Sequence, residues 1–251
     1  ETLKIDTIDN NWSKTNILQI YPSSIEFDGY NKVGWAAQTI GVNIDNPNRR
    51  DGDIYQLIDE LLGRKTGCSQ GMGGSASIQS KENNIFGHDG LMGNQVPIGV
   101  GACFASKTPT IVFTGDSAAE EDYCLTAIGW ASTKKLPILF IVEDNNLSIL
   151  TEKKVRRNWE MHDVANSMHV KSFNISDDPM TIFQNLENSF TEPMLLNINT
   201  VRKYWHAGAG IDGENFDRYN EELNFFGNEG KEIDEYNKKF VKNIWEKQLE
   251  K

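Results

Sequence analysis

Two apolar runs, Thr110-Ile-Val-Phe-Thr114 and Pro137-Ile-Leu-Phe-Ile-Val142, constrain this chain more than any other feature. Each is short, aliphatic and β-branched, without polar alternation, the pattern of a strand covered on both faces. Residues 118–133 between them have helical length and open on Glu120, Glu121 and Asp122, acids that suit a helix N-terminus. A strand, helix, strand unit of this size joins parallel neighbours through a right-handed crossover. The alternation continues, with a helix expected over 178–190 and a strand over 193–200. The expected fold is therefore α/β, a doubly wound, mostly parallel sheet with helices on both faces.

Residues 53–62 carry apolar side chains at 54, 57, 58, 61 and 62, an amphipathic helix that Gly63 stops. Eight glycines then fall between 63 and 93, which reads as a long loop where backbone approaches something closely. Residues 95–105 read as a small-residue helix, with Pro97 tolerable only in its first turn. Beyond Gly227 the chain is rich in Lys and Glu, with Ile233, Tyr236, Phe240, Ile244, Trp245 and Leu249 at helical spacing, a C-terminal amphipathic helix over 228–251. At 251 residues the chain is read as one domain, 1–251, with 1–50 a divergent N-terminal segment.

A net charge of −11 argues against nucleic acid as a partner, since such binders carry a basic face. The longest apolar run covers only 136–142, far short of a membrane span. The first residues show no basic and apolar secretory signal, and the missing initiator Met suggests trimming. Cys68, Cys103 and Cys124 are an odd set without a C-x-x-C pair, which fits reduced thiols in a cytoplasmic setting.

In open parallel sheets ligands bind beyond the carboxyl ends of strands. There Gly115-Asp116-Ser117 presents a carboxylate at a tight turn, followed by amides at the start of a helix that favour phosphate. At the end of the next strand lies Glu143-Asp144-Asn145-Asn146-Leu147. A few hard oxygen ligands with room for water and phosphate oxygens are what magnesium prefers.

These residues resemble the Gly-Asp-Gly to Asn-Asn motif of thiamine-diphosphate enzymes. More narrowly, Gly63-Arg-Lys-Thr-Gly-Cys-Ser-Gln-Gly-Met-Gly-Gly-Ser75 and Phe86-Gly-His-Asp-Gly-Leu-Met-Gly-Asn-Gln-Val-Pro-Ile98 are similar to the alpha subunits of two-oxo-acid and acetoin dehydrogenases. The resemblance runs from about Asp53 to Phe216. It implies thiamine diphosphate and Mg2+ as cofactors, with the metal on Asp116, on Asn145, 29 residues further along, and on the Leu147 carbonyl. It places the aminopyrimidine ring on main chain at Gly90 and Met92, and the diphosphate on the Gly115 turn, on amides of Ser117 and Ala118, and on Arg202. Thr200-Val-Arg-Lys-Tyr-Trp-His206 resembles the family's active-site loop, in which His206 would contact the substrate-bound intermediate. His88 is a second candidate for the substrate pocket.

Three departures stand out. Ser117 replaces the third motif glycine, His88 and Asp89 stand where the family has Gly and then Asn or His, and no Tyr-Arg pair appears upstream, where Glu26 and Asp28 stand instead. His162 and His169 read as structural.

The resemblance also implies a partner. A beta subunit or second domain supplies the pyrimidine-binding site and its glutamate, giving a heterotetramer in which the helix over 95–105 is a candidate contact surface. The leading expectation is cleavage of a two-oxo acid or alpha-hydroxy ketone with the acyl unit passed to a lipoyl acyltransferase. The alternatives are transketolase-like transfer to an aldehyde or sugar, and a degenerate, non-catalytic partner subunit. A nucleotide-binding reading of Gly71-Met-Gly-Gly-Ser-Ala76 fails because polar residues, not a strand, precede it.

Overall fold

Five parallel strands form the central sheet of the computed structural model, which describes residues 31–33, 52–74, 79, 86, 91–186, 191–202 and 216–251. In chain order the described elements begin with β1 (Asn31–Val33), α1 (Gly52–Leu61), α2 (Gln95–Ser106) and β2 (Thr110–Gly115). After a 3-10 turn (Ala118–Glu120) come α3 (Asp122–Thr133), β3 (Ile138–Asp144), a hairpin of β4 (Leu147–Ser148) and β5 (Thr151–Glu152), and the one-turn helix α4 (Lys153–Arg156). Next are α5 (Met161–Ser167), β6 (Lys171–Ser176), α6 (Pro179–Leu186), β7 (Met194–Asn199) and α7 (Arg218–Leu249). The strand order is β1-β2-β3-β7-β6, every neighbour parallel.

Period-two alternation splits the buried residues between two faces. One face puts Val112, Phe140, Val142 and Leu195 against Val100 and Cys103 of α2, Cys124 and Ile128 of α3, and Met161 and Ala165 of α5. The other puts Ile111, Phe113, Leu139, Ile141, Leu196 and Ile198 with Ile182 of α6. Helices on both faces make the sheet doubly wound, as its uninterrupted apolar strands require.

Several boundaries differ from expectation. The helix expected over 118–133 is broken at Glu121, whose extended backbone (φ −61°, ψ 140°) separates a single 3-10 turn from α3. Ser117 and Ala118 therefore lead a short turn, not a long helix, and the macrodipole expected there belongs to α3, further along. The C-terminal helix starts at Arg218 and bends at Gly227 (φ 58°, ψ −127°), where only glycine is comfortable. The strand β6, the β4–β5 hairpin and α4 had no counterpart in the sequence reading.

The helix over 178–190 is described as α6 through Leu186. Cys68, Cys103 and Cys124 are free, the last two buried. No helix among the described residues is long and apolar enough to cross a membrane.

Candidate cofactor site

β2 and β3 are paired so that Gly115 lies beside Glu143, which sets Asp116 and Asp144 on one face at the carboxyl edge of the sheet. Both carboxylates are buried, at 2% and 3% exposure. Burial pushes the Asp116 carboxyl above its ordinary value; Arg156, with Nη2 2.5 Å from Asp116 Oδ2, works against that shift, and the Asp144 charge adds to it. Asp144 goes the other way. Burial opposes its ionisation, but Lys153 Nζ at 2.8 Å, Asn197 Nδ2 at 3.2 Å and the Asn146 amide at 3.0 Å outweigh it and hold the carboxyl below its usual range.

Asn145 follows β3 directly, and its side-chain oxygen accepts the Leu147 amide at 3.0 Å, closing an Asx turn that opens the β4–β5 hairpin. Asn146, with φ 65°, takes the left-handed conformation this reversal needs, which asparagine tolerates. Arg202, just after β7, donates to the Ile149 carbonyl in the same hairpin at 2.6 Å. The structure thus brings Asp116, Asn145, Leu147 and Arg202 to one end of the sheet. Ser117 has φ −77°, so the glycine of the motif is replaced there without strain.

Met92 and Gly93 flank this edge from the preceding loop. The Tyr123 hydroxyl donates to the Met92 carbonyl. Gly93, at φ +81°, runs so close that an added Cβ would lie 2.6 Å from both the Ala118 carbonyl and Cys124 Sγ. Burial, then the charges of Glu121 and Asp122, push the Cys124 thiol up to about 12, so it acts as a packed, unreactive group. His88, Gly90 and His206 lie outside the described residues.

The oxygens present fit a hard divalent cation. Asp116, the Asn145 amide oxygen with its second lone pair, and the Leu147 carbonyl are the ligand types magnesium takes. Thr114 Oγ1 and Asn197 Oδ1, on the same face, are buried without a hydrogen-bond partner. Sequence reasoning missed the basic side of the site: Lys153, Arg156 and Arg157, which meet Asp144, Asp116 and Glu120. A run of four basic residues among five was visible at 153–157, but nothing in it says which carboxylates it faces. Glu60 was missed as well; its buried carboxylate accepts amides of Ser69, Gly71, Gly73 and Gly74 at 2.7–3.1 Å and so shapes the glycine-rich loop.

The pyruvate dehydrogenase E1 component subunit alpha of Rickettsia felis is 34% identical over 168 residues, covering 60% of this chain and 50% of the relative. The mitochondrial subunit alpha-1 of Oryza sativa subsp. japonica is 37% identical over 107 residues, covering 41% of this chain and 27% of the relative. The chain thus spans about half the length of its Rickettsia relatives.

Among solved structures, Campylobacter jejuni transketolase superposes with a TM-score of 0.51 at 16% identity, over 96% of this chain and 42% of that one. Leishmania mexicana transketolase gives 0.51 at 16% over 76% and 30%. At such identity the likeness bears on fold alone, and it bears out the α/β class. The dehydrogenase E1 component model matches residues 47–251, a stretch that runs through both strand-end turns and on through the C-terminal helix, and the chain belongs to that family.

Proposed function

We propose that this chain is the alpha subunit of a thiamine-diphosphate-dependent enzyme that cleaves a two-oxo acid and passes the acyl unit to a lipoyl acceptor. The observation that carries this reading is the juxtaposition of Asp116 and Asn145 at the ends of neighbouring parallel strands, with Arg202 hydrogen-bonded to the adjoining hairpin. In this reading Asp116, Asn145 and the Leu147 carbonyl hold Mg2+. The Gly115 turn brings the amides of Ser117 and Ala118 to the diphosphate, and Arg202 adds positive charge from the other side. The main chain at Gly90 and Met92 holds the pyrimidine ring, and His206 and His88 contact the substrate. Bound thiamine diphosphate supplies the carbanion-stabilising ring that the side chains of a protein lack.

The names of the relatives support a two-oxo acid substrate and a beta subunit. The partner contributes the pyrimidine-binding site, the assembly is a heterotetramer, and a lipoyl acyltransferase takes the product. Ile98 and Phe104 of α2 and Trp130 of α3 are exposed and support the contact surface expected on that helix. Three free thiols support a cytoplasmic setting.

The test is a titration of thiamine diphosphate with Mg2+ into the chain and its partner subunit. Saturable binding is expected in the wild type and at least a hundredfold loss in Asp116→Ala, about the upper range for removing one metal-site group. Unchanged binding in that variant overturns the assignment. Acyl transfer that runs with aldehydes and ignores a lipoyl domain decides for the ketol-transfer alternative.

A further inference from the structure

The carboxylate assigned to the metal already has a cation on it. Arg156 places Nη2 2.5 Å from Asp116 Oδ2, and its Nη1 donates to Glu120. Arg157, whose side chain is 1% exposed, reaches the Asp116 carbonyl at 3.2 Å and Glu120 at 3.1 Å and stacks over Trp159 at 4.7 Å. Lys153 closes the group, 2.8 Å from both Asp144 and Glu160. Four carboxylates thus face three cations, and all three cations come from residues 153–157.

Within that segment only Arg157 is buried. α4 is a single turn with no buried residue, and it follows the hairpin that begins at Asn145 and Leu147. Arg156 Nε, and Arg157 Nε and Nη2, are buried without hydrogen-bond partners. Well-made buried ion pairs satisfy such donors, so this one is not optimised as a permanent structural contact. Two buried carboxylates on one sheet edge nevertheless need a counter-charge at all times. The guanidinium of Arg156 turns one nitrogen of its planar fork to Asp116 and the other to Glu120. A divalent cation on Asp116 puts two positive charges where the Arg156 fork now sits, and at that distance the two repel each other in a low-dielectric setting.

We infer that Arg156 is a built-in counter-ion that holds Asp116 and Glu120 in the metal-free protein and is displaced when a divalent cation binds, moving the 153–157 segment with it. This rests on the reading of Asp116 as a metal ligand. Metal loading and the position of α4 are then two readings of one equilibrium, and the apparent metal affinity is reduced by the fraction of molecules whose Asp116 is held by arginine.

Manganese(II) is the probe, with the free ion counted by its paramagnetic resonance signal, on the full-length protein with its partner subunit and thiamine diphosphate. Arg156→Gln is expected to bind Mn2+ about tenfold more tightly than wild type, with Arg156→Lys between them. Metal-free Arg156→Gln is expected to melt below wild type and to regain more on Mn2+ addition than wild type does. Equal or weaker Mn2+ binding by folded Arg156→Gln overturns the inference and leaves the metal assignment standing. Should that variant not fold, hydrogen exchange in the wild type decides: amides of 153–157 exchanging faster on loading support displacement, and unchanged protection overturns it. If Asp116→Ala binds Mn2+ as well as wild type, the inference and the proposed function fall together.

Discussion

Glu60 holds four main-chain amides of one loop on a single carboxylate, an inverted version of the backbone cradles that usually bind anions from outside. Burial opposes its ionisation, and the amides of Gly71, Ser69, Gly73 and Gly74 outweigh it, so its carboxyl lies below the ordinary 4.5. A depressed carboxyl stabilises the fold fully above pH 4.5, and that contribution is lost as pH falls from there through the folded value. Glu60→Gln keeps the shape but turns a donor toward donors. It is expected to cost about 2–3 kcal/mol at pH 7 and to flatten the acid side of the stability curve, as urea unfolding at pH 7 and pH 4 will show. A wild-type and mutant difference independent of pH would contradict this account. From sequence, Glu60 reads as one polar position on α1, because the loop that folds back over it is invisible to helical periodicity. Gly93 is similar: its glycine was noted, but its contact with the Ala118 carbonyl is a fact of packing.

At the scale of elements, the strands were legible and the small pieces were not. β2, β3 and β7 are apolar runs of six or seven residues, long enough for pattern to speak. β4, β5 and α4 span two to four residues each, too short for any periodicity, and α4 with the Arg157 that follows it carries the basic half of the site. The break at Glu121 was hidden because its neighbours all have acceptable helix propensity; Glu120, the last residue of the 3-10 turn, pairs with Arg156 and Arg157.

Burial decides what the ion pairs of this region are worth. The side chains of Asp144 and Lys153 are 1% and 17% exposed, so Asp144→Ala, which takes away the buried one of the two carboxylates on Lys153, is expected to cost about 2–3 kcal/mol. Lys154 and Glu152 are 77% and 46% exposed, and Lys154→Ala is expected to change stability by less than about 0.5 kcal/mol. Denaturant unfolding of the two variants side by side checks the ranking.

At the scale of the whole molecule, the net charge of −11 acquires a location. Four of the acids gather near the strand ends with three cations among them, so the charges of the cluster nearly balance. Coexpression with the partner subunit is expected to yield a two-plus-two assembly, and light scattering after gel filtration measures it. A chain that stays alone, with thiamine diphosphate bound, would contradict the composite site.

The sequence by itself determined the parallel sheet, the two strand-end turns and the spacing of Asp116 to Asn145, because strand patterning and turn chemistry are local and act within a few residues. Only the tertiary structure decided that β7 lies between β3 and β6, which brings Asn197 to Asp144. It alone joined Arg156 to Asp116 across 40 residues of chain. A buried charge takes whichever opposite charge the packed fold brings within reach, and no local pattern names that partner.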